Sequence, residues 1–220
     1  MRGRTVRPAA ARRSRQAGGQ PRHRAGADRV LTMDLHAGQI QGFFDIPTDN
    51  LLATPVLADD IRVNYPDPDR LMIVSPDVGG GGPGAGPGQA AGGRPRHRRQ
   101  APLRSGRERG DEHHRDVRGR RCIMFDDIVD SAGTLCNAAQ AIIDHGADEV
   151  SAYVTHGVLS GAAADRVTKS VLKELVITDS IEQPDHIRTC AKVRQVSIAP
   201  LMGEAIRRIA NEESVSKLFD

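Results

Sequence analysis

Residues 81–116 read GGPGAGPGQAAGGRPRHRRQAPLRSGRERGDEHHRD, a run that suits neither a helix nor a buried strand. Gly and Pro oppose a helix by roughly 1 and 3 kcal/mol per residue relative to Ala, and large aliphatic side chains are almost missing. Residues 1–25 share this character, with eight Arg and no acid. Any core must therefore come from residues 26–80 and 118–220, whose text is that of ordinary globular protein. The overall figures, 38% hydrophobic and 3% aromatic in 220 residues, average over two unlike kinds of sequence.

As a phosphate loop the run is too long, and it lacks both the strand–loop–helix frame and a G-K-[ST] end. A flexible linker or a basic nucleic-acid tail would suit its composition. No aromatics are interleaved with the Arg to stack on bases, however, so nucleic acid is not an expected partner. The three cysteines, Cys122, Cys136 and Cys190, have no CxxC spacing, which indicates neither a zinc site nor a disulfide framework and suits a reducing compartment. No apolar run is long enough to span a membrane, and the Arg-rich start has no apolar signal-peptide core. The expected location is the cytoplasm, with no membrane partner.

From about Ala25 onward the sequence alternates. VLTM, LMIV and CIMF read as short strands, the last two buried, and each is followed by polar residues. TPVLADDIRVNY reads as a helix opened by a Thr cap and Pro, and TLCNAAQAIIDHG as an amphipathic helix stopped at Gly146. EVSAYVTHG, KELVITDS and KVRQVSIAP are strands; AAADRVTKS and LMGEAIRRIANEES are helices. This order predicts an α/β fold, a parallel sheet flanked by helices, with ligands at the carboxyl ends of its strands.

The strongest chemical signal is CIMFDDIVDSAGTL, residues 122–135. A buried strand delivers Asp126 and Asp127, then Asp130, and Ser131, Ala132, Gly133 and Thr134 open a helix. Small residues at a helix start let backbone N–H groups close around an anion, and carboxylates beside them suit sugar hydroxyls. The arrangement describes a cradle for a sugar phosphate; the plainer alternative is a strand–turn–helix junction with Asp130 as a turn former. In MDLHAGQIQGFF, Asp34 and His36 alternate at a strand end, where His36 offers a nitrogen to a metal or phosphate. In SPDVGG, Asp77 follows the LMIV strand and could be a magnesium ligand or a turn residue.

DLHAGQIQGFFDIPTDNLLATPVL, SPDVGG, FDDIVDSAGTL, YVTHGVLSG and IRRIANEESVSKLF together resemble the ribose-phosphate diphosphokinases, the phosphoribosyl pyrophosphate synthetases. The likeness covers roughly 26–80 and 116–220. It implies a type I phosphoribosyltransferase-like fold and transfer of the diphosphoryl group of ATP to ribose 5-phosphate with Mg2+. It also implies a homo-oligomer, hexameric in the family. By motif position, His36 and Asp77 would be the metal-associated residues. Asp126, Asp127, Asp130, Ser131, Ala132, Gly133 and Thr134 would bind ribose 5-phosphate. Ser131-Ala132 replaces the family's commoner Thr-Gly, a mild change that keeps small residues and a hydroxyl. The resemblance divides the chain into a basic, disordered or out-of-frame tail (1–25), a remnant of the N-terminal synthetase domain (26–56) and a C-terminal phosphoribosyltransferase-like domain (57–220). A non-catalytic synthetase-associated subunit and a true phosphoribosyltransferase are the alternatives, the latter lacking a recognisable nucleobase pocket.

Where the family has a helix, a buried strand and a loop bearing a catalytic Lys-Arg pair, this chain has the aberrant segment 81–117. Gly, Pro, Ala and Arg are what GC-rich codons yield in a wrong frame. RPRHRRQA (94–101) permits, one base later, Asp-Leu-Ala-Ile-Val-Asp-Lys; ERGDEHHR (108–115) and GGQPRHR (18–24) likewise permit family-like text. The segment is therefore read as frameshifted and disordered, the N-terminus as truncated, and no catalytic residue of the Lys-Arg loop as retained. Impaired activity is the consequence expected.

Overall fold

In this computed structural model, residues 26–74 and 117–219 are described. The tail 1–25, Asp77 and residues 81–116 of the aberrant segment lie outside them.

Among the described residues, five strands form the main sheet, all parallel and in chain order: β3 (Leu71–Val74), β4 (Arg121–Val129), β5 (Glu149–Gly157), β6 (Leu175–Thr178) and β7 (Val193–Val196). A second, two-stranded parallel sheet joins β1 (Val30–Met33) to β2 (Thr48–Leu51), with a 3-10 segment at Gly38–Phe43 between them. Helices α1 (Thr54–Asn64), α2 (Gly133–Asp144), α3 (Ala163–Lys169), α4 (Asp185–Arg188) and α5 (Ala199–Ala210) complete the fold.

Period-two alternation sorts the strand residues between two cores. Cys122, Met124, Val150, Ala152, Val154, Leu175 and Ile177 pack beneath α2, α3 and α4, against Leu135, Ala139, Val167 and Ile187. Ile123, Tyr153 and Val176 face the other way, toward α1, α5 and the β1–β2 pair, meeting Leu57, Ile61, Ala205 and Leu51. Both faces of the sheet are thus covered, as a parallel sheet requires. Polar groups stitch α1 onto the second face. Arg194 makes a bidentate pair with Asp60 at 2.8 and 2.7 Å, the Tyr153 hydroxyl donates to Asp60 at 2.9 Å, and the Tyr65 hydroxyl meets Ser151 at 2.6 Å. Burial raises the Tyr65 and Tyr153 phenols well above their ordinary range, so both stay protonated donors.

Three sequence expectations need correction. The α1 cap is Ala53, with Thr54 inside the first turn, and the Ala53 N–H is satisfied from a distance by Asp34 Oδ2 at 3.0 Å. Strand β3 is not buried: it pairs only with β4 among the described residues, and Ile73 is 49% exposed. Strand β4 does not end at the acids Asp126 and Asp127 but runs on to Val129, in register with β5 as far as Gly157. The sequence division at residues 56 and 57 falls within α1.

Candidate functional site

The carboxyl ends of β1, β4 and β5 converge, and the polar residues following them form one cluster. At the end of β4, Asp130 and Ser131 lead into Ala132, which sits at φ 59° and ψ 6° as the cap of α2. This left-handed conformation is one that L residues other than Gly adopt at a cost of about 1–2 kcal/mol. Sequence reading took Ala132 for a mild change; the backbone shows why a glycine would fit that position more easily. Its methyl is buried, which offsets part of the strain.

The first intrahelical donor of α2 is Cys136, bonded to the Ala132 carbonyl at 3.0 Å. The amides of Gly133, Thr134 and Leu135 therefore have no acceptor within the helix and point out of its N-terminus, where partial positive charge favours an anion. Ser131 and Thr134 are exposed beside them. Two residues that sequence analysis left without roles brace this loop. The Ser160 hydroxyl donates to Asp130 Oδ1 at 2.5 Å, and its N–H to the Asp130 carbonyl at 3.1 Å. Arg166, on α3, donates to the Ser131 carbonyl at 2.7 Å and adds a positive charge near the N-terminus of α2. Ser160 belongs to the YVTHGVLSG stretch, which carried resemblance but no recognisable chemical spacing.

The β1 end is fixed by a second set of contacts. Asp34, at φ 37°, accepts from the Ala53 N–H and from the Thr155 hydroxyl at 2.6 Å. His156 Nε2 donates to the Met33 carbonyl at 3.0 Å, and its Nδ1 meets the Ser180 hydroxyl at 2.9 Å. Asp34, noted in the sequence only for its alternation with His36, is thus an anchor between β1, α1 and β5. Held this way, His36 reaches β4: its Nδ1 lies 2.7 Å from Asp127 Oδ2. The structure therefore brings His36 together with the acidic cluster Asp126–Asp130. Among the described residues no group of three or more His, Cys, Asp or Glu side chains is arranged to hold a metal. Asp77 lies outside the described residues, so its relation to His36 does too.

Residues 112–220 match the family described as the phosphoribosyl synthetase-associated domain. The chain is 63% identical over 207 residues to a ribose-phosphate pyrophosphokinase of Caulobacter vibrioides, covering 90% of this chain and 64% of that protein. It is 56% identical over 210 residues to one from Maricaulis maris, covering 90% and 63%. The structure of phosphoribosylpyrophosphate synthetase from Mycobacterium smegmatis superposes with a TM-score of 0.66 at 29% identity, over 86% of this chain and 61% of that one. The chain thus spans somewhat less than two thirds of the length of these relatives. Among the described residues, no helix is long and apolar enough to cross a membrane.

Proposed function

The chain belongs to the ribose-phosphate pyrophosphokinase family, and from that membership we propose that its site is built for diphosphoryl transfer from ATP to ribose 5-phosphate. The anomeric hydroxyl oxygen attacks the β-phosphorus, the bond to the bridging oxygen breaks, AMP leaves, and the hydroxyl proton is released. The products are 5-phosphoribosyl 1-diphosphate and AMP. In this reading the amides of Gly133 and Thr134, with the hydroxyls of Ser131 and Thr134, take the 5-phosphate. Asp126, Asp127 and Asp130 supply acceptors for the ribose hydroxyls. The observation that carries the reading is the open N-terminus of α2, its first-turn amides unclaimed by the helix, set directly after three carboxylates at the end of β4.

Mg2+ neutralises phosphate charge and usually takes one or two carboxylates together with substrate oxygens. Among the described residues, the observation that fits such an ion is the imidazole of His36, whose Nδ1 is taken by Asp127 so that Nε2 is the nitrogen left to face a cation. His36 and Asp77 are the proposed metal-associated pair. The chain is further proposed to be cytoplasmic and homo-oligomeric, with residues 26–56 belonging to the ATP side. Segment 81–117 lacks the Lys-Arg pair that the family's transfer step employs, so turnover by this chain is proposed to be impaired while sugar-phosphate binding persists.

Calorimetric titration of the full chain with ribose 5-phosphate tests the cradle. Binding should be measurable, and Thr134→Ala and Asp130→Asn should each weaken it about five- to twentyfold, the equivalent of one or two hydrogen bonds. Absence of binding by folded chain, or binding by both variants as tight as that of the unaltered chain, would rule the cradle out.

A further inference from the structure

The His36–Asp127 contact joins residues far apart in sequence, yet its effect on stability is small. The His36 side chain is 77% exposed and that of Asp127 27%, and pairs so exposed contribute about 0–1 kcal/mol. The end of β1 is already held by less exposed groups, Asp34 on Thr155 and Ala53 and His156 on Met33. What the contact does determine is the state of the ring. A carboxylate only accepts, so Nδ1 must carry the hydrogen. In the neutral ring the lone pair then lies on Nε2, at the opposite side of the imidazole.

We propose that Asp127 is a positioning residue for His36, fixing the rotation and tautomer of its ring so that Nε2 is presented to a divalent cation. The metal part of this proposal rests on the diphosphoryl-transfer reading; the tautomer part does not. The strand explains why Asp127, and not its neighbours, does this. Alternation puts Asp127 on the face of Ile123, where β1 and β2 pack, and Asp126 on the α2 face with Met124. Asp126 Oδ1 accepts the Asp127 N–H at 2.8 Å, and Asp130 Oδ1 accepts the Ser160 hydroxyl. The carboxylate that meets the imidazole is that of Asp127, at 2.7 Å. The contact to the ring is made through Oδ2. A carboxylate behind an imidazole is the usual outer-shell arrangement of metal-binding histidines, and its loss typically lowers metal affinity about 10- to 100-fold.

The test uses nitrogen-15 NMR of the histidine rings in the full, metal-free chain, followed by titration with Mn2+ alone. The neutral His36 ring should be the Nδ1–H tautomer. Asp127→Ala should release it toward Nε2–H and weaken Mn2+ binding about 10- to 100-fold, approaching His36→Ala. Asp127→Asn, which keeps an acceptor oxygen, should retain the tautomer and bind Mn2+ with intermediate affinity. The ring signals of His156, held by Met33 and Ser180, report that each variant is folded. An unchanged tautomer in folded Asp127→Ala, or unchanged Mn2+ affinity, overturns the assignment. Failure of ribose 5-phosphate to bind would instead strike the sugar-site reading, because the tautomer measurement needs no sugar.

Discussion

Replacing Gly157 by Ala is a sharp probe of how β5 supports the cradle. A Cβ built there would meet Ile177 Cδ1 at 2.7 Å, Cγ2 at 3.0 Å and Cβ at 3.2 Å. Ile177 is completely buried in the middle of β6, so its stem cannot swing into solvent. Overpacking of this kind costs about 1–3 kcal/mol, and 2.7 Å puts this site toward the upper half of that range. The nearest atom, Cδ1, is removed by Ile177→Val, which alone should cost about 0.5–1.5 kcal/mol through the void it leaves. In the double variant the new methyl fills that void. Its loss should therefore fall short of the summed single losses by about 1 kcal/mol or more. Urea titrations followed by circular dichroism, with equal slopes across the four proteins, give the cycle directly. Additive losses, or a neutral Gly157→Ala, would refute the steric argument. The substitution should also reach the cradle, because the Val158 N–H donates to the Val129 carbonyl at 2.8 Å and the Ser160 N–H to that of Asp130. Ribose 5-phosphate binding should weaken in Gly157→Ala and recover in the double variant.

Three further outcomes are expected. The Arg194 hydrogen bonds hold the Asp60 carboxyl below its ordinary value, so this pair stabilises the fold above the unfolded carboxylate pKa and loses its effect as pH falls toward the folded one. Arg194→Met should cost about 1–3 kcal/mol near pH 7 and less near pH 3; a loss independent of pH would contradict the pairing. Burial pushes the Cys122 thiol up to about 11, so a thiol reagent at neutral pH should label Cys122 only after unfolding, and rapid labelling of the native chain would contradict its placement in the core. Finally, a version re-framed over 18–24 and 81–116, and carrying the relatives' preceding segment, should convert ATP and ribose 5-phosphate at least about a hundredfold faster than the chain as it stands. That factor is the usual effect of a single preorganised donor, and near-equal rates would make the cationic loop dispensable.

The elements that sequence made legible are those with strong periodicity. Strands β4 to β7 and helices α2, α3 and α5 were foreseeable because CIMF, SAYV, LVIT and the helical faces carry local patterns that packing reinforces. The strand–loop–helix junction proposed as the cradle was legible for the same reason, since a strand, three acids and small residues before a helix are contiguous in the chain. Strand β2 was not, because TDNL has no apolar alternation and exists only through its partner β1. The Ala53 cap escaped notice because its acceptor, Asp34, comes from another element. The same holds for Ser160 on Asp130, Arg166 on Ser131 and His36 on Asp127. Each is a contact between segments that only the folded topology brings together, and no spacing rule encodes it.

The chain-order arrangement of β3 to β7 has a consequence for how the molecule assembles. Among the described residues, the core beneath α2, α3 and α4 draws its fully buried side chains from Val117 to Ile187, with Met72, Val74 and Val193 packed against its edge. The opposite core needs Leu51, Leu57, Ile61 and Tyr65 to meet Tyr153, Val176 and Ala205. Closing that second core requires loops that are long in sequence, and such contacts form late because loop entropy is spent before they reward it. Folding should therefore begin as successive β–α units laid side by side from β4 onward. The β1–α1 portion then docks onto a sheet that already exists, and only this docking brings His36 to Asp127. His36 and Asp127 meet in the last event of folding, so a chain halted before it would keep the helix that follows β4 and lack the joint between β1 and β4.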